Sequence, residues 1–316
     1  MVADASKRRV AVLMGGTSGE RAVSIMTGEA VAAALEEKGY PVRALKIADE
    51  LPDGLTPDTT DVVFIALHGG AGEDGTIQAR LEKIGAAYTG SGPEASRLAM
   101  NKVKSKKVMI DSGIPTPAYV ELGHEGPQES ALQAARELGL PVVVKPVSEG
   151  STLGITIVRD ESEIPEAVEQ ALAYGEGAFL ESFIDGMELT VGILGEGALP
   201  IVEILPAREF YDYSAKYKDD GTRYNNEVDL PERTARAVME AAVATHRALG
   251  CRDLSRVDMR LSKEGEPYVL ELNTIPGFTS RSLVPMAAAA AGMSYGDLVE
   301  KVVLLALARA KGGRNA

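Results

Sequence analysis

Along the first ninety residues, short apolar runs alternate with segments whose apolar positions follow helical spacing. "RVAVLM", "YPVRALKI" and "DVVFIAL" read as strands, "RAVSIMTGEAVAAALEEKG" and "TIQARLEKIG" as helices, and "AAYTG" as a short last strand. Strand and helix in alternation predict a parallel sheet with crossover helices. Near Ser91 the pattern changes to a basic helix, "NKVKSKKVMIDSG", a Pro-rich connector, "IPTPAYV", and a helix and strand ending in "LPVVVKPVSEGSTLGITIV". From "AFLESFIDGMELTVGIL" onward the runs lengthen into a mixed antiparallel pattern interrupted by the polar insert "REFYDYSAKYKDDGTRYNNEVDLPE". The fold class expected is α/β followed by α+β, in three domains over residues 1–100, 101–183 and 184–316.

One predicted hairpin carries polar atoms where a core would need none. In "RVDMRL" the two-residue period sets Arg256, Asp258 and Arg260 against Val257, Met259 and Leu261; in "YVLELN" it sets Val269, Glu271 and Asn273 against Tyr268, Leu270 and Leu272. A tight turn around Glu264 and Gly265 pairs Ser262 with Pro267, Met259 with Leu270 and Asp258 with Glu271, and leaves Arg256 facing Asn273. Carboxylates directly opposite each other repel unless something compensates. Two compensations fit: a hard divalent cation, Mg²⁺ or Mn²⁺, taken by the Asp, Glu and Asn oxygens, or simple neutralisation by Arg256 and Arg260 on a surface hairpin.

Composition narrows the classes. With 316 residues, 45% hydrophobic and 25% charged, the chain is an ordinary globular one with room for two or three domains. Its formal charge of −13 disfavours nucleic acid as a bulk partner. Cys251 is the sole cysteine, which excludes an internal disulfide and points to a reducing, cytoplasmic setting. No apolar run approaches a membrane span, and "VVLLALA" belongs to an amphipathic helix near the C-terminus.

Three loops add candidate chemistry. "GGTSGE" follows the first strand and opens the first helix, a natural anion site, yet its glycines do not follow the dinucleotide fingerprint. Thr17 and Glu20 there also fit a capping box, an alternative to a ligand role for Glu20. "HGGAGEDG" sets His68 at the carboxyl edge of the parallel sheet, where such sheets bind ligands. In "VVVKPVSEGSTLG", Lys145 closes a strand before a loop of small and hydroxylated residues suited to phosphate, although the order is not that of a Walker A loop and a strand-end lysine commonly reaches solvent. "LESFIDGMEL" holds Glu181 and Glu188 around an extended stretch, either solvated acids or the edges of a ligand slot.

Taken in order, "GGTSGERAVS", "HGGAGEDG", "VVKPVSEGSTLG", "YDYSAKY", "RVDMRL" and "LELNTIPGFTSRSLVPM" resemble the D-alanine–D-alanine ligases of the ATP-grasp superfamily over nearly the whole chain. The resemblance implies an N-terminal Rossmann-like substrate domain and ATP bound between the central and C-terminal domains. It implies that Lys102 and Lys145 meet the ATP phosphates, that Glu181 and Ile184 meet adenine, that Glu188 meets ribose, and that Ser151, Ser182 and Lys216 also belong to the ATP site. Two Mg²⁺ (or Mn²⁺) ions would rest on Asp258, Glu271 and Asn273. Glu20, with His68 nearby, would hold the first D-alanine, Lys216 and Ser282 the second, and Arg256 and the Gly277 N–H the oxyanion. Ser151 and Tyr217 would link to Glu20 and close the site. The family often carries Lys where this chain has Ser182. The implied reaction joins two D-alanines for peptidoglycan precursor synthesis in the cytoplasm, in a homodimer. Rivals are a D-alanine–D-lactate or D-alanine–D-serine ligase, or a silent nucleotide-binding regulator.

Overall fold

The structure is a computed structural model that describes residues 8–123, 127–150, 153–175, 177–206 and 221–312. The predicted parallel sheet is present in the order β2-β1-β3, from β1 (Val10–Gly15), β2 (Val42–Ile47) and β3 (Val62–Ile65). The expected strand "AAYTG" shrinks to a single parallel bridge from Val63 to Tyr88. Helix α1 (Arg21–Glu37) crosses over β1 so closely that a Cβ on Gly28 would stand 2.5 Å from the Met14 Cβ. Helix α2 (Thr76–Lys83) follows as predicted. The sequence reading passed over α3 (Pro93–Met100), which begins on a proline at its first turn beside Glu94, both helix-start signals.

Helix α4 (Lys102–Asp111) is capped by Asn101, whose side chain accepts from the Lys104 N–H at 2.9 Å. It lies against a four-stranded antiparallel sheet, β4-β7-β5-β6, from β4 (Tyr119–Glu121), β5 (Val142–Pro146), β6 (Thr156–Val158) and β7 (Ala178–Ser182). Helices α5 (Pro127–Leu138) and α6 (Ile164–Leu172) cover the other face, where Val142, Val144 and Leu180 meet Ala131, Ala135 and Val168.

The third sheet runs β11-β10-β8-β12-β13, with β9 (Gly197–Ala198) also on β8 (Gly186–Leu194); its other strands are β10 (Val202–Leu205), β11 (Arg223–Asn225), β12 (Leu254–Ser262) and β13 (Pro267–Asn273). Helix α7 (Glu232–Ala248) packs on one face, while α8 (Leu283–Ala290) and α9 (Tyr295–Gly312) join a core shared with β1, β3 and α1. The "VVLLALA" run supplies the buried stripe of α9 through Val302, Val303 and Ala306. Among the described residues no helix is long and apolar enough to cross a membrane.

The β12–β13 hairpin corrects the expected register. Asp258 does face Glu271, and Arg256 faces Asn273, but Met259 pairs with Val269 and Leu261 with Pro267. Leu270 is the extra residue of a bulge between those pairs. An extra residue reverses the side-chain phase of the strand, so Val269 joins Leu272 in the core, and the uniform alternation expected of Tyr268–Asn273 fails.

Candidate active site

Carboxyl edges of β1 and β3 bring the two glycine loops together. Ser18 Oγ donates to the His68 carbonyl at 2.6 Å and accepts from the Glu20 N–H at 3.2 Å. The Thr17–Glu20 capping box is therefore absent: Thr17 Oγ1 turns to Asp49 at 2.6 Å, and Glu20 precedes α1 without a side-chain cap bond. Instead the Glu20 carboxylate lies against the second loop, where a Cβ on Gly69, at a φ of +68°, would stand 2.9 Å from Glu20 Oε2. His68 is buried, with Nε2 3.0 Å from Thr27 Oγ1 and Nδ1 3.7 Å from Glu73 Oε1. Glu73 and Thr27 were missed as its partners; Glu73 was in view within "HGGAGEDG", but nothing in the pattern aims it back at the histidine.

Lys145 does not reach for solvent, and Glu181 is not a solvated loop acid. Tyr119 and Val143 flank Glu181 in register across β4, β7 and β5, which places the carboxylate on the face that α4 covers. There Lys145 Nζ lies 2.5 Å from Glu181 Oε1, and Lys106, from α4, reaches Oε2 at 2.8 Å off the hydrogen-bonding direction. Burial pushes the Glu181 carboxyl up, and the two lysines more than offset it, so its pKa ends below the usual range. Burial holds the Lys106 ammonium below its ordinary value despite Glu181. Lys106 stands one helical turn after Lys102, a spacing visible in the sequence but indistinguishable there from a solvated basic face.

The hinge after β7 is held by an arginine. Arg260 faces Glu188 across β12 and β8 with a 3.3 Å ion pair, donates through Nε to the Ile184 carbonyl at 3.1 Å, and stacks over the Phe183 ring. The Ser182 N–H donates to the Ala118 carbonyl at 2.9 Å.

On the polar face of the hairpin, each carboxylate has a cation. Arg256 grips Asp258 through both Nε, at 2.8 Å, and a terminal nitrogen, at 2.7 Å, while Thr190 Oγ1 donates to the same carboxylate at 2.6 Å. Glu271 is paired with Lys102 at 3.0 Å, and Lys102 also donates to the Glu149 carbonyl. Neutralisation by arginine, one of the two sequence readings, thus describes Asp258 but not Glu271, and Arg260 serves Glu188 instead. Asn273 Oδ1 accepts from the Ile275 N–H at 2.9 Å. Among the described residues no three His, Cys, Asp or Glu side chains form a complete metal cluster. Two carboxylates and an amide suit a hard cation that draws its remaining oxygens from phosphate and water.

These parts converge. A cavity of about 180 Å³ is lined by Glu20, His68, Arg256, Glu271, Asn273, Gly277 and Ser282, which come from both glycine loops, the hairpin and the segment after it. Ser282 Oγ accepts from the Thr279 N–H at 3.1 Å, and a Cβ on Gly277 would stand 3.1 Å from that oxygen. A larger opening of about 980 Å³ beside it shares Glu20, Glu73 and Gly150 but carries less of the convergent chemistry. Lys102 joins this cavity to the β5–β7 wall through Glu271. Ser151, Lys216 and Tyr217 lie outside the described residues.

Comparison with known proteins agrees with this architecture. Residues 43–91 match the family described as D-ala D-ala ligase N-terminus, and residues 108–304 the one described as D-ala D-ala ligase C-terminus. A D-alanine–D-alanine ligase of Pelotomaculum thermopropionicum is 44% identical over 307 residues, covering 95% of this chain and 96% of its own length. The D-alanine–D-alanine ligase of Bacillus anthracis, solved in complex with ATP, superposes with a TM-score of 0.83 at 34% identity, over 97% of this chain and 99% of that one. The VanG D-Ala:D-Ser ligase of Enterococcus faecalis gives 0.84 at 27% identity, over 95% and 100%. With a parallel sheet followed by two antiparallel sheets, and with relatives of this identity along nearly its full length, the chain belongs to the D-alanine–D-alanine ligase family.

Proposed function

We propose that the protein joins two D-alanines into D-alanyl-D-alanine at the expense of ATP, releasing ADP and phosphate. The observation that carries this reading is the single cavity that gathers Glu20, Arg256, Glu271, Gly277 and Ser282 beside a lysine-lined wall. Residues 1–100, 101–183 and 184–316 are read as substrate, central and catalytic domains. Lys102 and Lys145 meet the phosphates, Glu181 and Ile184 the adenine, and Glu188 the ribose; Ser151, Ser182, Lys216 and Tyr217 keep the roles that the family resemblance gives them.

Phosphoryl transfer needs positioning and charge neutralisation more than covalent help from the protein. Glu20 holds the ammonium of the first D-alanine, with His68 set behind it by Thr27 and Glu73. An oxygen of that substrate's carboxylate attacks the γ-phosphorus, the bond to the bridging oxygen breaks, and ADP leaves. The deprotonated amine of the second D-alanine, whose carboxylate Ser282 receives, then attacks the acyl carbon. Arg256, fixed by its two bonds to Asp258, stabilises the resulting oxyanion together with the Gly277 N–H, and phosphate leaves as the amide forms. Asp258, Glu271 and Asn273 would hold two Mg²⁺ or Mn²⁺ ions, which when bound neutralise phosphate charge. Cytoplasmic action in peptidoglycan precursor synthesis and a homodimeric assembly complete the reading.

The test is phosphate release from ATP with D-alanine, D-lactate or D-serine as second substrate. D-Alanyl-D-alanine is expected as the dominant product. The likeness to the VanG enzyme makes D-serine the informative competitor, and a dominant D-alanyl-D-serine product would replace the dipeptide assignment; absence of phosphate release with every pair would leave the silent regulator.

A further inference from the structure

Lys106 is a fully buried lysine at the wall, and no step above uses it. A lysine ammonium has three donors, and three oxygens surround this one: Thr116 Oγ1 at 2.7 Å, the Pro117 carbonyl at 3.2 Å and Glu181 Oε2 at 2.8 Å. The Tyr119 ring lies 5.5 Å from it. Lys106 is thus held by two hydrogen bonds and one ion pair, all within the protein itself.

Glu181, 1% exposed, has its other oxygen on Lys145. One buried carboxylate therefore faces two buried ammonium groups, two positive charges against one negative. A buried ion pair that loses one member is strongly destabilised, because the remaining charge stays out of water without compensation. Were Lys145 the only partner of Glu181, turning it toward a phosphate would leave that orphan. With Lys106 in place, Glu181 keeps a cation, and the surplus positive charge belongs to Lys145. Thr116, which bonds Lys106, donates its own hydroxyl to the Val269 carbonyl at 2.7 Å, so the anchor of Lys106 is fixed to β13 as well.

We propose that Lys106 is a positioning residue: it holds the Glu181 carboxylate permanently, so that Lys145 can exchange its bond to Glu181 for one to the nucleotide phosphates. This rests on the reading of Lys145 as a phosphate ligand. It separates two kinds of binding energy, since adenosine needs no such exchange while ADP does.

The experiment measures ADP directly by calorimetry and adenosine by displacement, for the full-length protein and for Lys106→Met, Lys145→Met and the double variant Lys106→Met/Glu181→Gln. The quantity read is the ratio of ADP to adenosine affinity, which removes losses common to both ligands. Lys106→Met is expected to lower that ratio about tenfold, because Lys145 becomes the sole counter-charge of Glu181. The double variant, with no carboxylate left to hold, is expected to restore the ratio to within about threefold of wild type. A Lys106 that merely braces the fold would lower both affinities together and gain nothing from Glu181→Gln; an unchanged ratio in Lys106→Met overturns the proposal. Should that single variant fail to fold, the double variant decides alone, and a ratio as low as that of Lys145→Met is the contrary result. A Lys145→Met protein with the wild-type ratio would instead remove the phosphate assignment on which the proposal rests.

Discussion

The β5–β7 wall and the β12–β13 platform both set carboxylates against cations, but at opposite depths. At the wall the Glu181 side chain is 2% exposed, and each of its oxygens faces a lysine. At the platform the side chain of Glu271 is 29% exposed, beside Lys102, and that of Asp258 15%, beside Arg256. Removing a partner from a deeply buried pair costs about 3–5 kcal/mol, whereas exposed pairs are worth about 1 kcal/mol or less. The wall is therefore a fixed device that needs a second cation before it can release one. The platform sits between these limits, and its pairs can be exchanged when charged ligands arrive.

The most damaging way to break the platform is Glu271→Gln, which keeps size and removes a charge. Turnover is expected to fall on the order of a hundredfold or more, the scale of losing one transition-state electrostatic contact. Stability without ligand should fall, because the buried Lys102 loses its carboxylate partner while Asp258 already has Arg256. Wild-type turnover at limiting Mg²⁺ would remove Glu271 from the metal site.

Behind the platform lies the opposite solution to buried charge, a group kept neutral. His246 of α7 is buried with Nδ1 2.7 Å from Ser255 Oγ, and burial pushes its pKa down to about 4 from 6.5. A group depressed on folding contributes stability fully present above its unfolded pKa and lost as pH falls through the folded one. Between pH 6.5 and about 4 the protein should thus lose about 3 kcal/mol through this group. Urea unfolding at pH 7 and 4.5 measures it; His246→Gln should flatten that part of the profile, and equal slopes in both proteins would exclude the assignment.

The smallest effect sharpens the wall's outer edge. Ser182 offers no long donor where the family often has lysine, so Ser182→Lys should raise the preference for ATP over GTP several-fold, by about 1 kcal/mol for one hydrogen bond. The ratio of kcat/KM values for the two nucleotides reads this directly, and identical ratios would dismiss the position.

What the sequence revealed divides along the same line. The platform was legible because Asp258 and Glu271 violate the core pattern at opposed positions, and an anomaly paired with its mirror is readable without coordinates. His68 and Glu20 were legible as loop residues at one sheet edge, though the bond that joins their loops comes from Ser18 and not from the capping box assigned to Thr17. Lys106 was hidden because a lysine on a helix is ordinarily solvated, and only the tertiary placement of α4 against Tyr119 and Glu181 makes it internal. The bulge was hidden because Leu270 is as apolar as its neighbours and no residue type announced it.

That bulge works like an inserted letter in a two-letter code. Upstream of Leu270 the strand is read in one frame, with Pro267 and Val269 inward; downstream it is read in the other, with Leu272 inward and Glu271 and Asn273 turned to the cavity. Were Leu270 instead held in the ladder as an ordinary strand residue, every residue after it would turn to the opposite face, with Glu271 and Asn273 inward beside Val269. The irregularity is thus what lets one short strand close a hydrophobic core at one end and turn polar oxygens to the cavity at the other.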